Sequence, residues 1–419
     1  MKTSNVSKMA RLALVGCLAL NAMADGPTVS DVVVRQRWPW SRLVDINYML
    51  DCEDGKQADV QLSAFDGATK VPLSRDSLSG DLYGVSRGQR RIVWDPMKTP
   101  FTNQVLMRFS VDLAPTHSPL YMIINLIKPV GADGQIEYVF EEDLVTNKWG
   151  TWERNPVTNF GTAVESVIWT GVTNGSAYKT DKLVLRRVRA DTFLMGETVP
   201  PTKSVTLTKD FYVGVFEVTE AQWDRIVGGG STSTLPKGSR SCNNLRGATN
   251  NVPPVDWPST GSFVSTNEFM GKLRSKTGIN EFDLPTEAQW EYFCRAGTTS
   301  YYSDGSSMTS SDTNILNRLA WWTKNSGATS HPVGEKTPNA WGLYDTHGNV
   351  WEWCLDWQTE LGMGPFTDPV GTAGGIKRSL RGDGFKYTGA NTCASGNRGF
   401  TFPDQGMDVY GVRLVIKLP

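Results

Sequence analysis

The chain has 419 residues and a formal net charge of −1, with no block of Lys or Arg, which excludes the electrostatic footprint of a nucleic-acid-binding protein. Its 41 Gly, 22 Pro and 15 Trp describe a loop-rich globular protein rather than a helical bundle. The length gives room for two or three domains, each with its own core.

The N-terminus reads MKTSNVSKMARLALVGCLALNAMADG. Lys2, Lys8 and Arg11 precede the apolar run Leu12–Leu20, and Ala22 and Ala24 supply small residues around a cleavage point. This is the pattern of a secretory signal peptide over residues 1–24, too short to span a bilayer. The run Leu14–Cys17 also fits a lipoprotein cleavage box, so a lipid anchor at Cys17 is the alternative. Either way the chain is expected to be exported, to a periplasm or to the outside. Beyond Cys17, five cysteines remain: Cys52, Cys242, Cys294, Cys354 and Cys393. Their odd number leaves at least one thiol outside any intrachain pairing.

Residues 25–126 alternate with period two. Val44, Ile46, Tyr48 and Leu50 share one side, as do Val60, Leu62 and Ala64, and then Val105, Met107, Phe109, Val111 and Leu113. Half-buried antiparallel strands in an all-β sandwich follow from this pattern, with no chemical constellation among them. Residues 127–183 are polar and irregular and read as a connecting segment. A strand and a Gly turn begin the second domain, residues 184–419, at LVLRRVRADTFLMGE.

The stretch TEAQW occurs twice, at Thr219–Trp223 and Thr286–Trp290. Each Thr stands three residues before a Gln, the capping box that opens a helix. After the second, Trp290, Phe293 and Cys294 make an apolar stripe that Gly297 ends. A third helix is expected over Ser265–Ser275, boxed by Ser265 and Glu268. Nine tryptophans fall between Trp223 and Trp357, where regular structure is otherwise sparse, so most of these indoles are expected in a core. His117, His331 and His347 are too scattered for a zinc or iron cluster. No phosphate loop is present, and the RGD at 381–383 lies in a turn.

Several ordered stretches resemble the formylglycine-generating enzymes, or sulfatase-modifying factors: FLMGE (193–197), FYVGVFEVTEAQW (211–223), LPTEAQWEYFCRAG (284–297), HPVGEKTPNAWGLYDTHGNVWEWCLDW (331–357), SLRGDGF (379–385) and YGVRLV (410–415). The resemblance covers nearly all of residues 184–419. It implies an α+β, C-type-lectin-like fold low in regular secondary structure. Through GLYDTHGNVWEW it implies a structural calcium held by the side chains of Asp345 and Glu352 and the carbonyls of Gly348 and Val350. Hard oxygen donors suit that ion. It leaves Asp356 unassigned.

Active relatives oxidise a substrate cysteine to formylglycine on a copper ion held by two thiolates, which follow a Gly-Gly-Ser turn. In the equivalent run here, RGDGFKYTGANTCASGNR, Gly384 stands at the Ser and Tyr387 at the first thiol. Cys393 falls outside the copper pair. The resemblance implies instead a disulfide between Cys294 and Cys393, and Cys242 with Cys354 is the candidate second bridge. The leading expectation is a member without the copper pair whose groove, lined by Trp351, Asp383, Tyr387 and Arg398 near Asp404, binds an extended peptide or glycan. The alternatives are an active O2-dependent oxidase and a structural unit of a surface assembly.

Overall fold

The computed structural model describes residues 27–418 except 38–40, 53–56, 67–68, 72–76, 83, 99–108, 118, 141–143, 145–149, 160–161, 198–200, 239–244, 246–263, 308–312, 361, 373 and 387–389. The expected signal peptide with Cys17, and also Cys242 and Tyr387, lie outside the described residues.

Alternation along the N-terminal third is expressed as two antiparallel sheets. In one, the strands run in the order Thr28–Gln36, Val44–Asp51, Gly88–Trp94, Leu78–Gly80. In the other, the long strand Gln57–Asp66 pairs with Phe109–His117. Val44, Ile46, Tyr48 and Leu50 of the first sheet and Ala58, Val60, Leu62 and Ala64 of the second meet with Ile92 and Trp94 in one buried cluster. Because side chains alternate at period two, each strand gives one face to this cluster.

A six-stranded antiparallel sheet organises the rest. Its order is Ile136–Val139, Tyr121–Asn125, Lys182–Val188, Phe211–Gly214, Val415–Lys417, Phe282–Asp283. This sheet crosses the boundary expected at residue 126. Tyr121–Asn125 pairs with Lys182–Val188, and the segment expected to be a connector supplies Ile136–Val139 and the hairpin of Glu153–Asn159 with Thr162–Ile168. The apolar run Tyr121–Ile124 is buried throughout, with a strand paired on each side of it.

Both copies of TEAQW open helices, Glu220–Val227 and Glu287–Arg295, through complete capping boxes on Thr219 and Thr286. The third helix spans Phe269–Thr277 and lacks the expected box: Glu268 is its cap and makes no side-chain cap bond. Ser265 is spent on a turn, its carbonyl accepting from the Glu268 amide at 3.2 Å. A four-stranded sheet, in the order Gly399–Thr401, Arg378–Arg381, Trp351–Trp357, Tyr410–Gly411, carries the tryptophan-rich segment at its middle. Every residue of Trp351–Trp357 is buried.

One ion cluster ties the N-terminal sheets to the larger unit. The Arg187 guanidinium donates to Asp59 Oδ2 at 2.8 Å and Oδ1 at 3.0 Å, and its Nε donates to Asp210 at 2.9 Å. Asp59 also accepts from the Gly84 amide at 2.9 Å, and Asp210 from the Ala190 amide at 2.8 Å. Removing one partner from a buried, hydrogen-bonded charge pair leaves the other uncompensated. Asp59→Ala is therefore expected to lower stability by about 2–4 kcal/mol and to split one calorimetric unfolding transition into two. An unchanged single transition would contradict a coupling through Arg187.

Candidate functional site

Glu352 and Asp356, the two acids of the tryptophan-rich strand, both turn to the helix Glu287–Arg295. Glu352 Oε2 accepts from the Trp290 indole at 2.7 Å, and Asp356 Oδ2 accepts from the Glu287 amide in the first turn of the helix at 2.7 Å. An acid at a helix N-terminus satisfies a donor that has no partner inside the helix.

Arg413 completes the setting of Glu352. Its Nε donates to both carboxylate oxygens at 3.0 Å, and Nη2 donates to Oε1 at 2.7 Å. The remaining donors reach the carbonyls of Gly214 at 3.0 Å, Val215 at 3.1 Å and Tyr344 at 2.8 Å. Both partners are fully buried. The oxygens of Glu352, expected as a calcium ligand, are met here by a guanidinium and an indole.

The other expected calcium donors are placed differently. Asp345, buried and at φ 54°, accepts from the Gly334 amide on Oδ2 at 2.7 Å, while its Oδ1 is buried with no hydrogen-bond partner. Gly348 sits at φ +73°, and a Cβ there would come within 2.3 Å of the Trp321 carbonyl oxygen. Only glycine fits so close an approach. Among the described residues, no donor reaches the carbonyl oxygens of Gly348 or Val350. An orphaned carboxylate oxygen and two free carbonyls fit a hard cation. No group of three or more His, Cys, Asp or Glu side chains among the described residues is arranged to hold a metal, so backbone oxygens must supply part of any such site.

Sequence reasoning missed Glu217. It is fully buried, with Oε1 accepting from the Val350 amide at 3.1 Å and Oε2 from the Asn349 side chain at 2.7 Å. Burial, with the charges of Asp345 and Glu352 beside it, holds its carboxyl well above the usual range. Burial likewise pushes Asp345 up to about 6 and Asp356 to about 7, the latter aided by the charge of Glu287. A charged residue inside an otherwise apolar run, as in VGVFEV and YGVRLV, is the signal that marks Glu217 and Arg413.

The expected groove residues are consumed internally. Arg398 forks onto Glu287 at 2.7 and 2.8 Å and donates to the Thr359 carbonyl at 2.9 Å. Glu287 is shared with Arg381, which also reaches Glu291 at 3.0 Å. Asp383 is buried and accepts from the Gly384 amide at 2.7 Å and the Thr392 hydroxyl. Trp351 is 6% exposed, with Gly384 and Gly399 packed against its ring. Cβ atoms at those glycines would lie 3.2 and 2.7 Å from it. These three side chains pack inward, and the fourth residue expected in the groove, Tyr387, lies outside the described residues.

The thiols are also separate. Cys294 points its sulfur at the Thr346 carbonyl, 3.5 Å away, and Cys393 points at Asp383 Oδ2, 3.4 Å away. Both are free, buried cysteines. The expected Cys294–Cys393 disulfide is therefore not formed, because each sulfur faces its own acceptor on a different part of the chain. Burial pushes the Cys294 thiol up to about 12 and that of Cys393 well above its ordinary value.

His347 lies between these segments. Its Nδ1 is 2.7 Å from the Cys393 carbonyl, which can only accept, so Nδ1 carries the proton. Nε2 then accepts from the Ser303 hydroxyl at 2.9 Å and the Ser303 amide at 3.2 Å.

A family model for the sulfatase-modifying factor enzyme 1-like domain matches residues 172–418, and the chain belongs to this family. It is 28% identical over 273 residues to "Chaperone protein LppX" of Paenibacillus barcinonensis, covering 57% of this chain and 91% of that protein. It is 38% identical over 113 residues to the formylglycine-generating enzyme of Streptomyces coelicolor, covering 24% of this chain and 35% of that enzyme. Among solved structures it is similar to "Treponema denticola variable protein 1", with a TM-score of 0.44 and 25% identity over 57% of this chain and 96% of that one. No helix among the described residues is long and apolar enough to cross a membrane.

Two predictions follow from this geometry. Arg413→Met strands the Glu352 carboxylate and is expected to cost about 3–5 kcal/mol, whereas the double variant Arg413→Met/Glu352→Met recovers much of that loss. Urea melts of the three proteins measure the difference, and equal losses in the single and double variants would contradict the pairing. His347 is held down to about 4 by burial, below its unfolded value. Its contribution to stability is complete above about pH 6.5 and is lost as pH falls towards 4. Between pH 7.5 and pH 5 this amounts to about 2 kcal/mol, and His347→Asn should remove that part of the pH dependence. A variant with the wild-type pH profile would count against a buried neutral imidazole.

Proposed function

We propose that this chain is an exported member of the family that binds a polypeptide partner and does not oxidise cysteine. The observation that carries this reading is the run from Gly382 to Cys393. Gly384 replaces a hydroxyl with a surface that Trp351 covers, a tyrosine stands at 387, and the thiol of Cys393 faces the buried carboxylate of Asp383. The residues present do not fit a two-thiolate copper site, and no step is assigned to one.

Polypeptide binding is favoured over a glycan by the likeness to a protein named as a chaperone, which extends over nearly that protein's whole length. The contact face in this reading is the exposed end of the strand pair Arg378–Arg381 and Gly399–Thr401. There Ile376 is 75% and Phe402 42% exposed, and Lys377 lies over the Phe402 ring at 5.4 Å. An apolar surface with a cation beside it suits an unfolded or extended chain. The N-terminal sheets, read as a β-sandwich, form a spacer that Arg187 fixes to a C-type-lectin-like domain. A calcium ion at Asp345, Gly348 and Val350 is structural in this reading and takes no part in chemistry.

A peptide of the form Cys-X-Pro-X-Arg, incubated with the purified protein, copper and oxygen, is expected to keep its mass. Conversion of its thiol to an aldehyde would overturn the reading. In parallel, the protein should suppress aggregation of a denatured client enzyme, and Phe402→Ser should weaken that effect. No suppression by the wild type would overturn polypeptide binding.

A further inference from the structure

We propose that the strand Thr28–Gln36 joins a second copy of this chain, antiparallel and edge to edge, so that two four-stranded sheets become one across a two-fold axis at Val33.

This strand ends its sheet. It pairs with Val44–Asp51 on one side, and among the described residues no strand pairs with it on the other. A free edge presents unpaired N–H and C=O groups and is a template for another strand. The side chains here are open as well. Every residue from Ser30 to Gln36 is exposed, although Ile46 and Val44, across from Val34 and Gln36, are fully buried. Val32, Val33 and Val34 are 40%, 46% and 38% exposed, an apolar, β-branched run of the kind that gains by packing against a neighbouring strand. Lys and Pro commonly guard a solitary edge, and this strand holds neither. Its register shifts between Ser30 and Val33, with Asp31 at φ 52°. Asp31 and Val33 nonetheless line one concavity on the outer face with Asn47, Met49 and Arg91, and Arg35, across from Asp45, follows on that face. Alternation is therefore regular from Asp31 onward.

The charges select the occupant. Asp31 and Arg35 are the charged side chains of this strand, and each stands two residues from Val33. Among the described residues neither has an ion-pair partner. Asp45, across from Arg35, is held by Arg37 at 2.8 Å and Arg91 at 2.9 Å, and Asp31 meets only the Ser30 hydroxyl at 3.5 Å. An antiparallel pair centred on Val33 sets Asp31 of each copy opposite Arg35 of the other, with Val33 against Val33 between them. On the reverse face Val32 of each copy meets Val34 of the other. Directly opposed residues have Cβ atoms about 4.5–5.5 Å apart, where opposite charges and β-branched pairs stabilise a sheet. A shift of one residue in either direction sets Asp31 opposite Gln36 or Val34 and loses both charge pairs. Such self-complementarity is what a two-fold contact requires, and a peptide from another protein has no need of it.

The contact is small, on the order of 1,000 Å², so the dimer is reversible and is measured by sedimentation velocity of the full chain from about 1 to 100 µM. The wild type is expected to show a monomer–dimer equilibrium in that range. Val33→Lys and Arg35→Asp should each weaken it about 10-fold or more. The double variant Asp31→Arg/Arg35→Asp, which exchanges the charges across the axis, should recover most of the loss. Val33→Cys should crosslink under mild oxidation, because the two positions face each other. Circular dichroism identifies any variant that fails to fold. If the double variant does, Asp31→Asn, which suits a positive φ, takes its place and should weaken association about 3-fold. A wild type that stays monomeric at the highest concentration overturns the proposal. So does a dimer that Val33→Lys leaves intact, a folded double variant no tighter than Arg35→Asp, or, in its place, Asp31→Asn with wild-type association.

Discussion

Arg413 is the residue on which the larger unit depends. Its guanidinium joins the end of the strand Phe211–Gly214 to the segment that leads into Asp345 and to the strand Trp351–Trp357. All its donors are used, and all its partners are buried. An arginine is suited to this place because its planar fork meets a carboxylate in two directions at once and cannot lose its proton. A lysine would satisfy the charge and forfeit the geometry. The helix Glu287–Arg295 is bound into the same frame through Trp290 on Glu352 and through Arg381, which bridges Glu287 and Glu291.

This frame accounts for the crowding of three tryptophans and two acids in ten residues. The acids are not solvated spacers between buried indoles. Each is buried and spent on a particular donor of the facing helix, and the indoles fill the volume around them. The same economy governs the segment around Asp383 and Gly384. Trp351 lies against two backbone positions that have no side chain, and the groups that could have lined a groove, Asp383 and Arg398, are paired inwards.

Local chemistry was legible in the sequence, and long-range pairing was not. Thr219 with Gln222 and Thr286 with Gln289 announce their helices because both members of each box lie within one turn. Ser265 and Glu268 carry the same spacing and yet form a turn, in which the Ser265 hydroxyl accepts from the Asn267 amide and its carbonyl from the Glu268 amide. The alternation of Val44 to Leu50 gave the strand and its buried face together. By contrast, Arg187 and Asp59 are 128 positions apart, and Asn349 and Glu217 are 132. No period or spacing connects them. The family motif names Glu352 as a ligand by position along the chain, but the direction of a carboxylate is decided by what faces it. Here that is Arg413, near the C-terminus.

The most direct test is a crystal structure of the full chain grown with calcium, with anomalous differences collected at a long wavelength. The account predicts one anomalous peak contacted by Asp345 and the carbonyls of Gly348 and Val350. Glu352 should remain on Arg413, and Cys393 should carry no metal. A peak bound by Glu352 with Arg413 displaced, or a metal bound at the sulfur of Cys393, would contradict it.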